Sequence, residues 1–294
     1  MNYALNSLFI QNLVRNVILD GKKLSRKIEE DVKKSVKNLG FTPCLATVLV
    51  GNDEASKIYL WQKEKACKRV GIKSITKILP DDSKRPAVIS SIEELNKDPD
   101  VHGILLQLPL PPHLNAKELV EFIYPSKDVE GFHPLNMGRL VSEKLGIVPC
   151  TPAGIIELLK HYKIPLKGKY AVIVSHSMVV GKPLALLLLK EWATVTVCHI
   201  ETKNLSKHTQ EADILISATG KPGLISGDMV KEGATVIDVG ISKVGKNIVG
   251  DVKFEEVKRK ASAITPVPGG VGPITVAMLM KNTVECAKKI NGGG

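Results

Sequence analysis

Short apolar runs alternate with helix-like segments along the chain, and no other feature constrains the fold as tightly. Residues 45–50 and 74–79 read as strands on either side of a helix at 51–71. Residues 88–96 read as a helix and 103–108 as a buried strand, followed by a loop rich in proline and charge at 125–134. A clear helix is expected at 151–162, with Thr151 as N-cap and Pro152 in its first turn. The second half repeats the rhythm, with strands at 170–174, 194–198, 213–217 and 235–239 and helices at 183–192 and 205–211. Such alternation implies parallel sheets joined by right-handed crossovers. The expected fold class is α/β: two domains meeting near residue 150, with the ligand between them.

Composition narrows the classes. The chain has 294 residues, 44% of them hydrophobic and 24% charged, as a water-soluble globular protein would. No apolar run approaches the roughly 20 residues that span a bilayer, so no membrane partner is expected. Cys44, Cys67, Cys150, Cys198 and Cys286 lack metal or disulfide spacing and read as reduced thiols in a cytoplasmic protein. The net charge is +11, but lysine far outnumbers arginine, aromatics are 4%, and acids are interleaved. That pattern argues against nucleic acid; it fits a solvated lysine-rich surface or a basic rim for a small polyanionic substrate. The first 17 residues hold one arginine and no acid. They suit an extra N-terminal turn or a misplaced start better than a transit peptide. Residues 292–294, all glycine, read as a frayed tail.

Near the C-terminus runs Thr265-Pro266-Val267-Pro268-Gly269-Gly270-Val271-Gly272-Pro273-Ile274-Thr275. Three prolines and three glycines between Pro266 and Pro273 are expected to exclude helix and regular strand. Flanked by an apolar stretch at 261–264 and a helix-like run at 276–290, this segment reads as a rigid loop. Its lack of bulky side chains lets backbone approach a flat ligand.

Other residues carry chemistry. On the 51–71 helix, Ala55, Ile58, Tyr59, Ala66 and Val70 define an apolar arc that also contains Lys63, four residues after Tyr59. An inward lysine lines a cleft with a lowered pKa and can exchange protons near neutrality; the alternative is an amine that snorkels from the edge of the arc. Gln107 is a polar amide in an apolar strand ended by proline, at the kind of strand end where α/β sheets bind ligands. Lys127-Asp128-Val129-Glu130-Gly131 offers two carboxylates suited to an aminopyrimidine edge, or simply a solvated loop. After the 170–174 strand comes Ser175-His176-Ser177-Met178-Val179-Val180-Gly181-Lys182-Pro183, a turn where backbone N–H groups can hold phosphate, although it is not GxGxxG.

Together these segments resemble the bifunctional methylenetetrahydrofolate dehydrogenase/methenyltetrahydrofolate cyclohydrolase family. The match includes Val50-Gly51 through Ser56, Tyr59 and Lys63, then 103–111, 127–134, 175–183 and 264–277, all in family order. The resemblance implies a folate-binding catalytic α/β domain at 1–150, to which the last helix, about 275–294, returns. It implies a Rossmann NAD(P)-binding domain with a parallel sheet at 151–274, and a cleft framed by both domains. Lys63 would pass protons and promote water attack on the methenyl carbon. Tyr59 would stack on the folate, and Gln107 would tune Lys63. Leu108, Pro109, Asp128, Glu130, Pro268, Gly269 and Gly272 would line the substrate site. Ser175, His176, Ser177, Ile200, Gly240 and Ile241 would contact the nucleotide, and no metal is needed. The implied partners are a folate, expected to be polyglutamylated, and a second copy in a homodimer.

Three departures stand out. Glu130 occupies the place of a family aspartate, Ser175-His176-Ser177 replaces Gly-Arg-Ser or Gly-Ala-Ser, and Ile200-Glu201 falls where serine or arginine is common. His176, when protonated, would replace part of the missing arginine, but Ile200 would not. Glu201 would repel a 2′-phosphate or accept from a free ribose hydroxyl, so relaxed cofactor choice is expected, with NADP ahead on family grounds and NAD also accepted. A different Rossmann dehydrogenase for a small hydroxy or keto acid would leave Lys63 and the 268–273 loop without a purpose. A catalytically silent folate-binding protein would be expected to lack Lys63 or Tyr59.

Overall fold

The computed structural model describes residues 16–144, 146–245 and 247–292; the expectations for residues 1–15 and for the last two glycines fall outside them. The chain is α/β and divides into two compact units. One comprises Lys23–Ala153 with the chain from Ile274 onward, the other Gly154–Pro273 with the segment up to Lys22. That segment contains Val17–Ile18 (β1), which pairs in parallel with Ala263–Ile264. A strand so early in the chain therefore belongs to the later unit's sheet.

The first unit is built on a three-stranded parallel sheet of Cys44–Val50 (β2), Lys73–Leu79 (β3) and Gly103–Leu106 (β4), in the order β3-β2-β4. β2 and β4 are buried throughout, as near-continuous apolar runs in parallel sheets should be. Val48, Ile104 and Leu106 pack with Val88, Ile92 and Leu119. The chain leaves β2 toward β3 and returns on the other side as β4, so the carboxyl ends of β2 and β4 form a topological switch point. β4 ends two residues earlier than expected: Gln107 N–H still donates to Val48 O at 2.9 Å, but the chain then bends through a cis Leu108-Pro109 peptide.

Between β2 and β3 lies the helix Glu54–Val70. Asp53 caps its start, accepting from Ser56 N–H at 2.7 Å, and Gly71 ends it at φ 84°. Its buried stripe is Ser56, Leu60, Ala66, Cys67 and Val70. Ile58 and Tyr59, expected on the apolar arc, are 57% and 39% exposed. The buried stripe runs instead through Ser56, whose small side chain is 1% exposed, and Leu60. Lys63 stands on the buried stripe, three residues after Leu60 and four before Cys67.

The second unit carries a six-stranded sheet, fully parallel. Its later strands are Tyr170–Val174 (β5), Thr194–Cys198 (β6), Ile214–Ser217 (β7) and Thr235–Asp238 (β8). An antiparallel hairpin, Ser242–Val244 (β9) with Asn247–Val249 (β10), precedes Ala263–Ile264 (β11). The sheet order β1-β11-β8-β7-β5-β6 places β5 between β6 and β7, a second switch point. Val172, Leu215, Val236 and Ile264 fill the core.

Two helix starts differ from expectation. The helix Cys150–His161 begins one residue early because Ala153 N–H donates to Pro149 O. Thr151 is therefore inside the first turn, not its cap, and its hydroxyl bonds the Thr275 hydroxyl at 3.0 Å. The last helix, Val271–Asn291, takes in Gly272 and Pro273. Proline fits the first turn, where its missing N–H has no helical partner to lose. The segment before it turns at Gly269 (φ 109°), whose carbonyl accepts from Gly21 N–H at 3.0 Å. A Cβ on Gly21 would lie 1.7 Å from Gly270 O, so only glycine permits this backbone contact. Among the described residues no helix is long and apolar enough to cross a membrane.

Candidate active site

The first unit's switch point gathers three groups that the sequence spaces far apart. Lys63 Nζ donates to Gln107 Oε1 at 2.9 Å, and Gln107 Nε2 donates to Leu108 O at 2.6 Å. Gln107 is 5% exposed, so both ends of its amide are committed: one to the lysine, one to the bend. Burial lowers the Lys63 pKa, with Glu130 opposing that effect. Lys63 is thus held by an amide and does not snorkel outward. Glu130 keeps part of its surface open, but burial pushes its carboxyl up to about 7; Lys63 lowers it and Asp128 raises it further. An amine whose charged form burial disfavours, within electrostatic reach of an acid whose charged form burial also disfavours, is a pair suited to trading protons with a bound molecule.

Asp128 behaves differently. Its Oδ1 accepts from the Glu130 and Gly131 N–H groups at 3.2 and 2.9 Å. Its Oδ2 accepts from His133 N–H at 2.8 Å and Asn136 Nδ2 at 3.0 Å. This buried carboxylate shapes the loop that presents Glu130, and its acceptors are spent there. Tyr59 stands one turn before Lys63 with its ring partly exposed, suited to stacking. Leu108 is partly buried and Pro109 exposed beside the Gln107 bend.

Sequence reasoning missed Cys150 and Asn282. The Cys150 thiol is buried beside Glu130 and Lys63, and burial holds its pKa well above the ordinary range. As a neutral thiol it donates to Val129 O at 3.5 Å. Asn282, on the Val271–Asn291 helix, donates to Val129 O and Val148 O at 2.9 Å each and reaches Cys150 Sγ at 3.4 Å. The available signals were a cysteine between Pro149 and Pro152 and an amide that is 7% exposed on the last helix.

In the second unit, the turn after β5 runs into the helix Gly181–Lys190. Ser177 Oγ accepts from Val180 N–H at 3.1 Å and Gly181 N–H at 3.5 Å, while Ser175 Oγ bonds Ser177 Oγ at 3.2 Å. A Cβ on Gly181 would lie 2.0 Å from Ser175 O, so glycine lets the helix start press against the strand end. This is the role glycine plays in dinucleotide turns. The His176 and His199 rings meet edge to face at 5.3 Å across the ends of β5 and β6. His199 Nδ1 accepts from Glu201 N–H at 3.3 Å, and Ile200 is 92% exposed. Gly240 N–H donates to Asp238 Oδ1 at 3.0 Å, and Ile241 reaches the 269–272 turn, its Cδ1 lying 3.7 Å from where a Cβ on Gly272 would be. Pro268 is exposed and Gly269 buried in that turn.

A Rossmann-type sheet with a glycine-tightened turn at its switch point, and a second α/β unit holding a shielded amine, define a two-unit dinucleotide-dependent enzyme. Residues 19–130 match the model of the tetrahydrofolate dehydrogenase/cyclohydrolase catalytic domain, and residues 149–291 match that family's NAD(P)-binding domain. The chain belongs to the tetrahydrofolate dehydrogenase/cyclohydrolase family. It is 57% identical over 278 residues to the bifunctional protein FolD of Aquifex aeolicus, covering 93% of this chain and 96% of that protein. It is 55% identical over 276 residues to that of Methanosarcina mazei, covering 92% and 96%. The crystal structure of the FolD enzyme of Campylobacter jejuni superposes with a TM-score of 0.90 at 51% identity, covering 92% and 98%. The Trypanosoma brucei enzyme, solved with NADP and an inhibitor, gives 0.88 at 37% identity, covering 93% and 97%.

Proposed function

We propose that this chain oxidises 5,10-methylenetetrahydrofolate to the methenyl form with NAD(P)+ and hydrolyses that product to 10-formyltetrahydrofolate, in one-carbon metabolism. The observation that carries this reading is the Lys63–Gln107 hydrogen bond at 2.9 Å beside Glu130. Burial disfavours the charged form of this amine, which favours the neutral base that proton transfer from water requires.

The nucleotide, when bound, accepts a hydride from the one-carbon unit. Ser175, His176 and Ser177 would hold it at the β5 turn, with Ile200, Gly240 and Ile241 at neighbouring strand ends; the close approach allowed by Gly181 fits that group. In hydrolysis, neutral Lys63 takes a proton from water as the new C–O bond forms at the methenyl carbon. The C–N5 bond then breaks as N5 gains a proton from Lys63, and the hydroxyl proton leaves as the formyl C=O forms. One proton is released in total. Gln107 keeps the amine aimed throughout, Tyr59 stacks on the folate, and Glu130 grips the pterin.

His176 and His199 offer ring N–H donors at the ends of β5 and β6, where the adenosine ribose would lie, while exposed Ile200 offers none and Glu201 disfavours a 2′-phosphate. This supports NADP with NAD also used. A polyglutamylated folate tail suits the +11 surface. Exposed Leu189 and Trp192 beside the edge strand β6 support a homodimer, and the reduced thiols support a cytoplasmic setting. Incubating the protein with methylenetetrahydrofolate and NADP or NAD, while following reduced nicotinamide and methenyl absorbance separately, tests the whole reading. Reduced cofactor without lasting methenyl signal is expected with both nucleotides. An efficiency ratio above about a hundredfold would rule out relaxed choice.

A further inference from the structure

Val129, immediately before Glu130, is fixed from two directions. Its side chain is fully buried against Gly103, where a Cβ would lie 2.3 Å from Val129 Cγ1, so only glycine in β4 leaves it room. Its carbonyl accepts from Asn282 Nδ2 at 2.9 Å and from Cys150 Sγ at 3.5 Å. The same Asn282 amide donates to Val148 O at 2.9 Å. One side chain on the last helix therefore ties together two loop segments, at Val129 and Val148, with Glu130 next to one end of the tie and Cys150 near the other. Thr151, bonded to Thr275 on that helix, secures the same junction one residue further on. Asp128 fixes the Glu130 loop from the other side through its four donors.

We propose that Asn282 is a positioning residue for hydrolysis, holding the Val129 carbonyl so that the Glu130 carboxyl stays within electrostatic reach of the Lys63 amine. This rests on the reading of Lys63 as the catalytic amine. The ionisable groups whose charge acts on Lys63 are Glu130, Cys150 and Cys67; those acting on Glu130 are Lys63 and Asp128. Cys67 lies on the lysine's own helix and Asp128 on the glutamate's own loop, so neither depends on the tie. Releasing Val129 lets Glu130 move away, and Lys63 loses the carboxylate that supports its charged form. Its pKa then falls further, and the rising limb of the hydrolysis pH profile moves with it.

The test measures methenyltetrahydrofolate hydrolysis by full-length Asn282→Ala, Asn282→Ser and Lys63→Met across the neutral pH range, with Tm and folate affinity alongside. Asn282→Ala is expected to lose about 10- to 100-fold in kcat, with KM changed less than about threefold, and its rising limb is expected at lower pH. Asn282→Ser keeps one donor for one carbonyl and falls between the two; it serves if the alanine variant does not fold. A wild-type pH profile in a folded Asn282 variant, even with reduced activity and Tm, overturns the proposal, because a purely structural amide scales the rate without moving the limb. Hydrolysis surviving in Lys63→Met overturns the catalytic reading and the proposal with it, so the two failures are distinct.

Discussion

Lys63 Nζ and Gln107 Oε1 lie 2.9 Å apart although 44 residues separate them in sequence. The helix Glu54–Val70 brings the amine to the end of β4, and the bend after Leu106 turns the amide to meet it. A neutral amide supports either protonation state of the amine, whereas a carboxylate in its place would favour the ammonium.

Replacing Gln107 by glutamate should raise the Lys63 pKa, because the added negative charge opposes the lowering by burial. The rising limb of the hydrolysis pH profile should then move to higher pH, and the rate at neutrality should drop about tenfold or more. A profile that stays in place would mean that Lys63 does not set the rate.

Glu130 links the site to stability. Its pKa is about 7 in the folded protein against 4.5 as the ordinary value, so the folded state binds more protons than the unfolded one between those values. Stability contributed by this residue is therefore lost as pH rises from 4.5 through about 7. The Glu130→Gln variant, uncharged throughout, should gain Tm over the parent at about pH 8 and gain less at about pH 5. Equal differences at both pH values would show that the glutamate is well solvated.

Gly181→Ala would place a Cβ 2.0 Å from Ser175 O, a backbone atom that cannot swing aside. NAD(P) affinity should weaken by about tenfold or more, while hydrolysis of added methenyltetrahydrofolate continues. Loss of both activities in parallel, with unchanged Tm, would contradict the assignment of this turn to the nucleotide.

Much of the fold was legible because parallel strands announce themselves as apolar runs: β2, β5 and β6 fall within a residue of where the pattern puts them. Short elements were not. The hairpin β9–β10 and the two-residue strands β1 and β11 carry no periodicity long enough to detect. Lys63 and Gln107 were readable as polar groups in apolar settings, but their bond depends on a sheet crossover that local pattern does not encode. Asp128 and Glu130 looked alike in sequence. Three backbone N–H groups of its own loop and the Asn136 amide separate the structural acid from the functional one. Asn282 lay hidden because its partners, Val129 and Val148, contribute carbonyls, which no side-chain motif records.

The most direct test is Lys63→Met, which removes the amine while preserving an unbranched side chain on the buried stripe. Hydrolysis of methenyltetrahydrofolate should fall about a thousandfold or more, with folate affinity within about threefold of the parent. Hydrolysis near the parent rate by a folded, folate-binding Lys63→Met protein would contradict the assignment of Lys63 as the proton-transferring group.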